Sequence, residues 1–226
     1  MAHGGRTARS TPYDQDPHVI ISFADLAARV RAASPRLDTV RLVCVDGRSG
    51  AGKTTFAARL SAVLGRCPVI HADDLYPGWH GLDAFGDRLV DWVIDPLLRG
   101  EPAGYRRYDW HRGCYAEQHP LPPTDVLIVE GVGAAQRRTD PVAVLRIWLD
   151  AHAIERYRRG IDRDGDGFRP YWQLWAAQEE QHFATERTRE RADLVVDGDP
   201  PADLAYDPVS QLAVREIRRW PEPATD

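Results

Sequence analysis

Eight consecutive residues, Gly47-Arg-Ser-Gly-Ala-Gly-Lys-Thr54, carry the clearest chemistry in this chain. They match G-x-x-x-x-G-K-[ST], the loop whose backbone N–H groups cradle phosphates at the start of a helix. Lys53 is the one lysine among 29 lysines and arginines. A compact ammonium fits between β- and γ-phosphates, where a planar guanidinium would need a bidentate partner. In this loop Gly47, Ser49, Gly50, Ala51, Gly52 and Lys53 are the expected phosphate cradle. Thr54 offers its hydroxyl to Mg²⁺, and Thr55 is a candidate contact to the α-phosphate. The expected ligand is a nucleoside triphosphate.

Other residues qualify as partners for that loop. His71-Ala-Asp73-Asp74-Leu-Tyr76 follows a short apolar run, and acids at the carboxyl end of a strand face ligand in doubly wound sheets. Asp73 suits a base that takes a proton from an attacking hydroxyl, or an acid that orients a Mg²⁺ water. The plain alternative is that Asp73 or Asp74 caps a turn. Glu130 closes the run Val126–Val129 and suits a second Mg²⁺-linked acid. Arg158, Arg159 and Arg163 form a basic cluster that could neutralise a transferring phosphoryl group as a lid closes, or could pair with Glu155 and Asp162 on a solvated helix face. Tyr108, Trp110 and His111, with Trp79 and His80, mix rings and hydrogen-bonding groups, as a pocket for a flat acceptor requires. Asp162-x-Asp164-x-Asp166-Gly167 imitates a calcium loop, but its twelfth position is Gln173 rather than Glu.

These residues need a scaffold. Val40–Val45, Pro68–His71, Val126–Val129, Val144–Leu149 and Leu194–Val196 read as strands buried on both faces. Helical patterns lie over Lys53–Leu64 and near 84–98, 152–162 and 171–189, and Ser22 reads as the N-cap of a helix through Ala33. Alternation of this kind predicts an α/β fold, a parallel sheet of about five strands with helices on both faces and a helical lid over about 156–172. Residues 1–17 read as a disordered tail and 18–226 as one domain, while the proline-bearing stretch 199–226 has no legible structure.

The 226 residues can bury a substantial core, and a net charge of −5 argues against nucleic acid or an anionic membrane as the main partner. Three cysteines without C-x-x-C spacing indicate neither a disulfide framework nor a zinc site. The apolar runs are too short to span a membrane, so the expected setting is cytoplasmic. The partner is then a small-molecule acceptor, with a homo-oligomer left open.

In order and spacing these motifs resemble the uridine kinase-like branch of the P-loop kinases, relatives of phosphoribulokinase, over about residues 40–198. Asp73-Asp-Leu-Tyr76 is similar to the family's D-S-F-Y, Asp83-Ala-Phe85 to D-A-F-D, Tyr108-Asp-Trp110 to Y-D-F, and Val129-Glu-Gly131 to F-E-G. Arg158 to Asp164 looks like its lid, and Ala192–Gly198 like its closing strand. The resemblance implies ATP and Mg²⁺ as cofactors, Asp73 as base or metal-linked acid, Glu130 as second acid, and lid arginines on the phosphates. Two positions depart from it: Trp79-His80-Gly81-Leu82 stands where the family has F-D-H-P, and Gly113 where it has a histidine. Phosphate transfer is therefore better supported than any one acceptor, which could be a nucleoside, a sugar phosphate, a pantothenate-like metabolite or an antibiotic. A non-catalytic ATP-binding module is the second class. A guanine-reading switch would need N-K-x-D, and this chain has no asparagine.

Overall fold

The computed structural model describes residues 18–165 and 168–220. Strand β1 (Val19–Ser22) leads into helix α1 (Phe23–Ala32), and the Ser22 hydroxyl accepts the Asp25 N–H at 2.9 Å as the expected N-cap. Strand β2 (Arg41–Asp46), the phosphate loop and helix α2 (Lys53–Val63) follow in the predicted order, then the short strand β3 (Val69–His71). Helix α3 (Leu82–Leu89) continues through a π-helical turn at Val90–Ile94 into α4 (Asp95–Leu98). Pro96 has no N–H for the preceding turn and its ring crowds it, which explains why the helix widens just before it. Strands β4 (Gly104–Asp109) and β5 (Cys114–Pro120) form a separate antiparallel hairpin. The chain then runs through β6 (Val126–Glu130), β7 (Ala143–Asp150), α5 (Ala153–Asp164), α6 (Trp172–Glu186), α7 (Thr188–Arg191), β8 (Leu194–Asp197) and β9 (Gln211–Ile217).

The main sheet has the order β1-β9-β8-β7-β2-β6-β3 among the described residues. Five adjacent strands, β8, β7, β2, β6 and β3, are parallel, as the sequence predicts, but β9 runs antiparallel beside β8 and β1 pairs with β9, so the sheet has seven strands. Along β2, Leu42 and Cys44 enter the core against α3 and α6, while Val43 and Val45 enter the core under α1 and α2. That alternation, buried on both sides, is why the strand reads as a continuous apolar run. Each fully buried aliphatic side chain contributes about 1.5–3 kcal/mol, so both faces hold β2 at the sheet's centre.

Register decides where chemistry can occur. Val45 lies opposite Glu130, His71 also lies opposite Glu130, and Asp46 lies opposite Trp148. The carboxyl ends of β2, β3 and β6 therefore come together at one edge, where open α/β sheets bind ligand. The expected tail 1–17 and the tip of the acidic stretch at Asp166 and Gly167 lie outside the described residues. Residues 199–217, illegible in the sequence, form a proline-bearing loop followed by β9. No helix of the described residues is long and apolar enough to cross a membrane.

Candidate active site

The phosphate loop turns tightly around its glycines. Gly50 has φ +77°, and a Cβ there would lie 2.1 Å from the Arg156 carbonyl oxygen. Only glycine tolerates both the left-handed backbone and that approach. Buried Asp46 anchors the loop: Oδ1 accepts the N–H of Gly47 at 2.7 Å and of Gly133 at 3.0 Å, and Oδ2 that of Ala135 at 2.9 Å. Burial pushes the Asp46 carboxyl up, and the backbone donors of Ala135 and Gly47 pull it down. Lys53 is buried and its Nζ donates to the Arg48 carbonyl at 3.0 Å, which holds the ammonium inside the curl of the loop.

Two loop amides expected on phosphate are used otherwise. The Ser49 N–H donates to Oε1 of buried Glu179 at 2.7 Å, because this side of the loop faces α6. The Ala51 N–H closes a turn onto the Arg48 carbonyl at 3.2 Å. The amides of Gly52, Lys53 and Thr54 lie at the start of α2, where the first N–H groups of a helix have no intrahelical partner.

Beside them the Thr54 hydroxyl donates to Glu130 Oε1 at 3.0 Å, and His71 Nδ1 lies 2.6 Å from the same oxygen. Burial raises the Glu130 carboxyl, but the His71 hydrogen bond and the Lys53 charge outweigh it and hold it below the usual range. The reciprocal hydrogen bond raises His71 against the effect of burial.

Three cavities run side by side along this edge. The middle one, about 270 Å³, is lined by Gly50, Gly52, Lys53, Thr54, Thr55, Asp73, Glu130, Arg159 and Arg163. On one side a cavity of about 570 Å³ lies between the loop and residues 196–208, sharing Gly52, Thr55 and Arg159 with it. On the other an aromatic cavity of about 540 Å³ shares Ser49, Asp73 and Arg163. Asp73 and Arg163 thus stand between a phosphate-sized space and an acceptor-sized one. Arg159 reaches from α5 to the Gly198 carbonyl at 2.9 Å and is held by Glu155 at 2.7 Å.

Several predicted site residues are placed elsewhere. Arg158 points along the outside of α5, bonded to Glu155 at 2.6 Å and to Asp162 at 2.7 Å, so helical i,i+3 and i,i+4 pairing has claimed it. His80 is exposed and lines none of the three cavities. Tyr76 touches the aromatic cavity but is buried, and its hydroxyl donates to the Val132 carbonyl at 2.7 Å, which makes it a wall rather than a polar contact. Tyr108 packs edge-on against Trp110 and Tyr115 and does not line the cavity. Asp74, Trp79, Trp110 and His111 do line it.

Four contributors were not legible as site residues. Trp175 and Phe168 wall the aromatic cavity. Glu179 holds the loop, and Arg156 Nη1 donates to the Ser49 carbonyl at 3.3 Å. Trp175 and Glu179 are spaced i,i+4, so one face of α6 carries both, and that spacing was the available signal.

No protein-family model matches the chain. A uridine kinase of Borrelia duttonii is 25% identical over 139 residues, 55% of this chain and 68% of that protein. Inorganic pyrophosphatase TTM2 of Arabidopsis thaliana is 29% identical over 145 residues, 58% of this chain but 22% of that much longer protein. In structure, a possible uridine kinase from Bacillus stearothermophilus superposes with a TM-score of 0.53 at 22% identity, over 76% of this chain and 96% of that one. The chain is similar in sequence to uridine kinases over a little more than half of its length, and in fold to a possible uridine kinase. What it shares with that structure in fold is the parallel sheet and the helices around it.

Proposed function

We propose that this kinase relative transfers the γ-phosphate of ATP to a hydroxyl of a small, nucleoside-like acceptor. One observation carries the reading: Asp73 lines both the phosphate cavity and the aromatic cavity, so a single carboxylate can reach an acceptor hydroxyl and the phosphate it attacks. The triphosphate would lie on the amides at the start of α2, with Lys53 between its outer phosphates. The nucleoside part would occupy the cavity bounded by Arg159 and residues 196–208.

Hard oxygen donors fit a Mg²⁺ ion here. Thr54 and Glu130 are within 3.0 Å of each other, Asp73 lines the same cavity, and Mg²⁺ commonly takes one or two carboxylates with substrate phosphates and water. Bound there, the ion would offset phosphate charge. Asp73 would accept the hydroxyl proton as the oxygen attacks. Arg159 and Arg163, both on the phosphate cavity, would stabilise the charge on the transferring group.

The test is ADP formation from Mg-ATP with a panel of nucleosides, sugar phosphates, pantothenate and aminoglycosides. At least one acceptor should raise ADP formation well above the rate with ATP alone. If ATP binds and no acceptor does so, the transferase reading fails and a regulatory ATP-binding module replaces it.

A further inference from the structure

Glu130 reaches the phosphate cavity on a side chain with several rotatable bonds, so its carboxylate must be held in one orientation for an ion to meet it. The strand ladder supplies the means. His71 and Glu130 are paired in register at the carboxyl ends of β3 and β6, where neighbouring strands lie about 4.8 Å apart. Side chains alternate along each strand. Ile70, Leu127 and Val129 enter the core against α3 and α6, whereas Val69, Val126 and Ile128 pack on the side of α1 and α2. His71 and Glu130 continue the second series, so both leave the sheet toward α2, whose first turn carries Thr54. Gly131 lets the two strand ends stay this close, since a Cβ there would lie 2.4 Å from the Cβ of Ala72.

Among the described residues, both hydrogen bonds to the Glu130 carboxylate end on the same oxygen. Thr54 donates to Oε1 at 3.0 Å, and His71 Nδ1 lies 2.6 Å from it. Burial opposes ionisation here, but the hydrogen bonds and the Lys53 charge prevail. An ionised carboxylate can only accept, so Nδ1 carries the proton. His71 itself does not line the phosphate cavity, and whatever it does for a bound ion it does through Glu130.

We propose that His71 is a positioning residue for the Mg²⁺ site, a role that rests on the reading of Glu130 as a metal-linked acid. Its Nδ1–H and the Thr54 hydroxyl together occupy Oε1, which leaves Oε2 as the oxygen for the ion or for a water on it. Because Thr54 gives its proton to Glu130 in the same arrangement, the lone pairs of its own oxygen are left for the ion. His71 is neither a metal ligand nor the base.

The test is calorimetric and needs no acceptor. Mg²⁺ is titrated into the complex of the full chain with a non-hydrolysable ATP analogue, with protein in excess so that free nucleotide does not compete. His71→Ala should weaken Mg²⁺ binding by about tenfold or more, the usual effect of removing a group that orients a metal ligand. Affinity for the analogue in EDTA should stay near wild type, with the fold checked by circular dichroism. His71→Asn can donate from close to the Nδ1 position and should recover most of the loss. On a Glu130→Gln background, His71→Ala should weaken Mg²⁺ little further, because the two residues act as one unit. A residue that merely tied β3 to β6 would lower the affinity in EDTA as well, and would do so on either background. Unchanged Mg²⁺ affinity in His71→Ala, equal losses in His71→Ala and His71→Asn, or an undiminished loss on the Glu130→Gln background overturns the proposal. The expected Mg²⁺ affinities without phosphorylation of any acceptor uphold the role of His71 and remove the transferase reading instead.

Discussion

The indole N–H of Trp110 donates to the backbone carbonyl of Asp73 at 3.0 Å. Through this bond the β4–β5 hairpin, which supplies a wall of the acceptor cavity, also fixes the turn that carries the proposed base. Trp110→Phe keeps a ring and removes the donor. Turnover should fall about tenfold, the worth of roughly one hydrogen bond, while ATP affinity stays near wild type. Steady-state kinetics beside ATP calorimetry would separate the two effects.

Helix α6 grips both halves of the site. Gln178 donates to the Trp79 carbonyl at 2.7 Å, and Glu179, only 1% exposed, accepts the Ser49 N–H of the phosphate loop. Glu179→Ala leaves that amide without its acceptor and should destabilise the fold by about 1–3 kcal/mol and weaken ATP binding. Glu179→Gln retains an acceptor oxygen and should recover most of both losses. Thermal unfolding and ATP titration of the two variants check this.

The two neighbouring arginines of α5 should respond differently. Arg159 lines the phosphate cavity, whereas Arg158 is exposed and paired with Glu155 and Asp162. Arg159→Ala should raise the KM for ATP by about tenfold or more, consistent with loss of a charge-assisted contact. Arg158→Ala should change it by less than about twofold, as for most exposed ion pairs.

The parts of this site legible in the sequence were those set by local pattern. The loop Gly47–Thr54, the apolar runs of the five parallel strands and the Ser22 cap are each specified by neighbouring residues. Strand β9 was illegible because Leu212–Val214 offers three apolar residues before Arg215 and Glu216, after a proline-bearing loop. The β4–β5 hairpin escaped because its charged and aromatic residues, as in Tyr105-Arg-Arg-Tyr-Asp109, follow neither a strand nor a helix period. Glu179 and Arg156 could not be assigned, since they reach Ser49 across 130 and 107 residues of chain. Arg158 looked equivalent to Arg159 because spacing alone does not reveal which of two guanidiniums bonded to Glu155 also reaches the phosphate cavity.

The thiols offer a check on the core that is independent of catalysis. Cys44 lies buried in β2, where burial pushes its thiol up to about 12, and Cys67 is raised for the same reason; Cys114 is exposed on the hairpin. A thiol raised this way holds little thiolate at about pH 8, and the thiolate is the reactive form. Ellman's reagent should therefore titrate one thiol rapidly in the native protein and all three in denaturant. Rapid native labelling of Cys44 would contradict the packing of the central strand.

The most direct measurement concerns Asp73, the carboxylate that lines both cavities. Asp73→Asn keeps the size of the side chain and removes its capacity to accept the proton. With the best acceptor found for the wild type, ADP formation should fall by about 100-fold or more, in the range typical for loss of a general base. ATP affinity should change by only a few-fold. Phosphate transfer at the wild-type rate in Asp73→Asn would contradict the role given to this carboxylate, and with it the proposed mechanism.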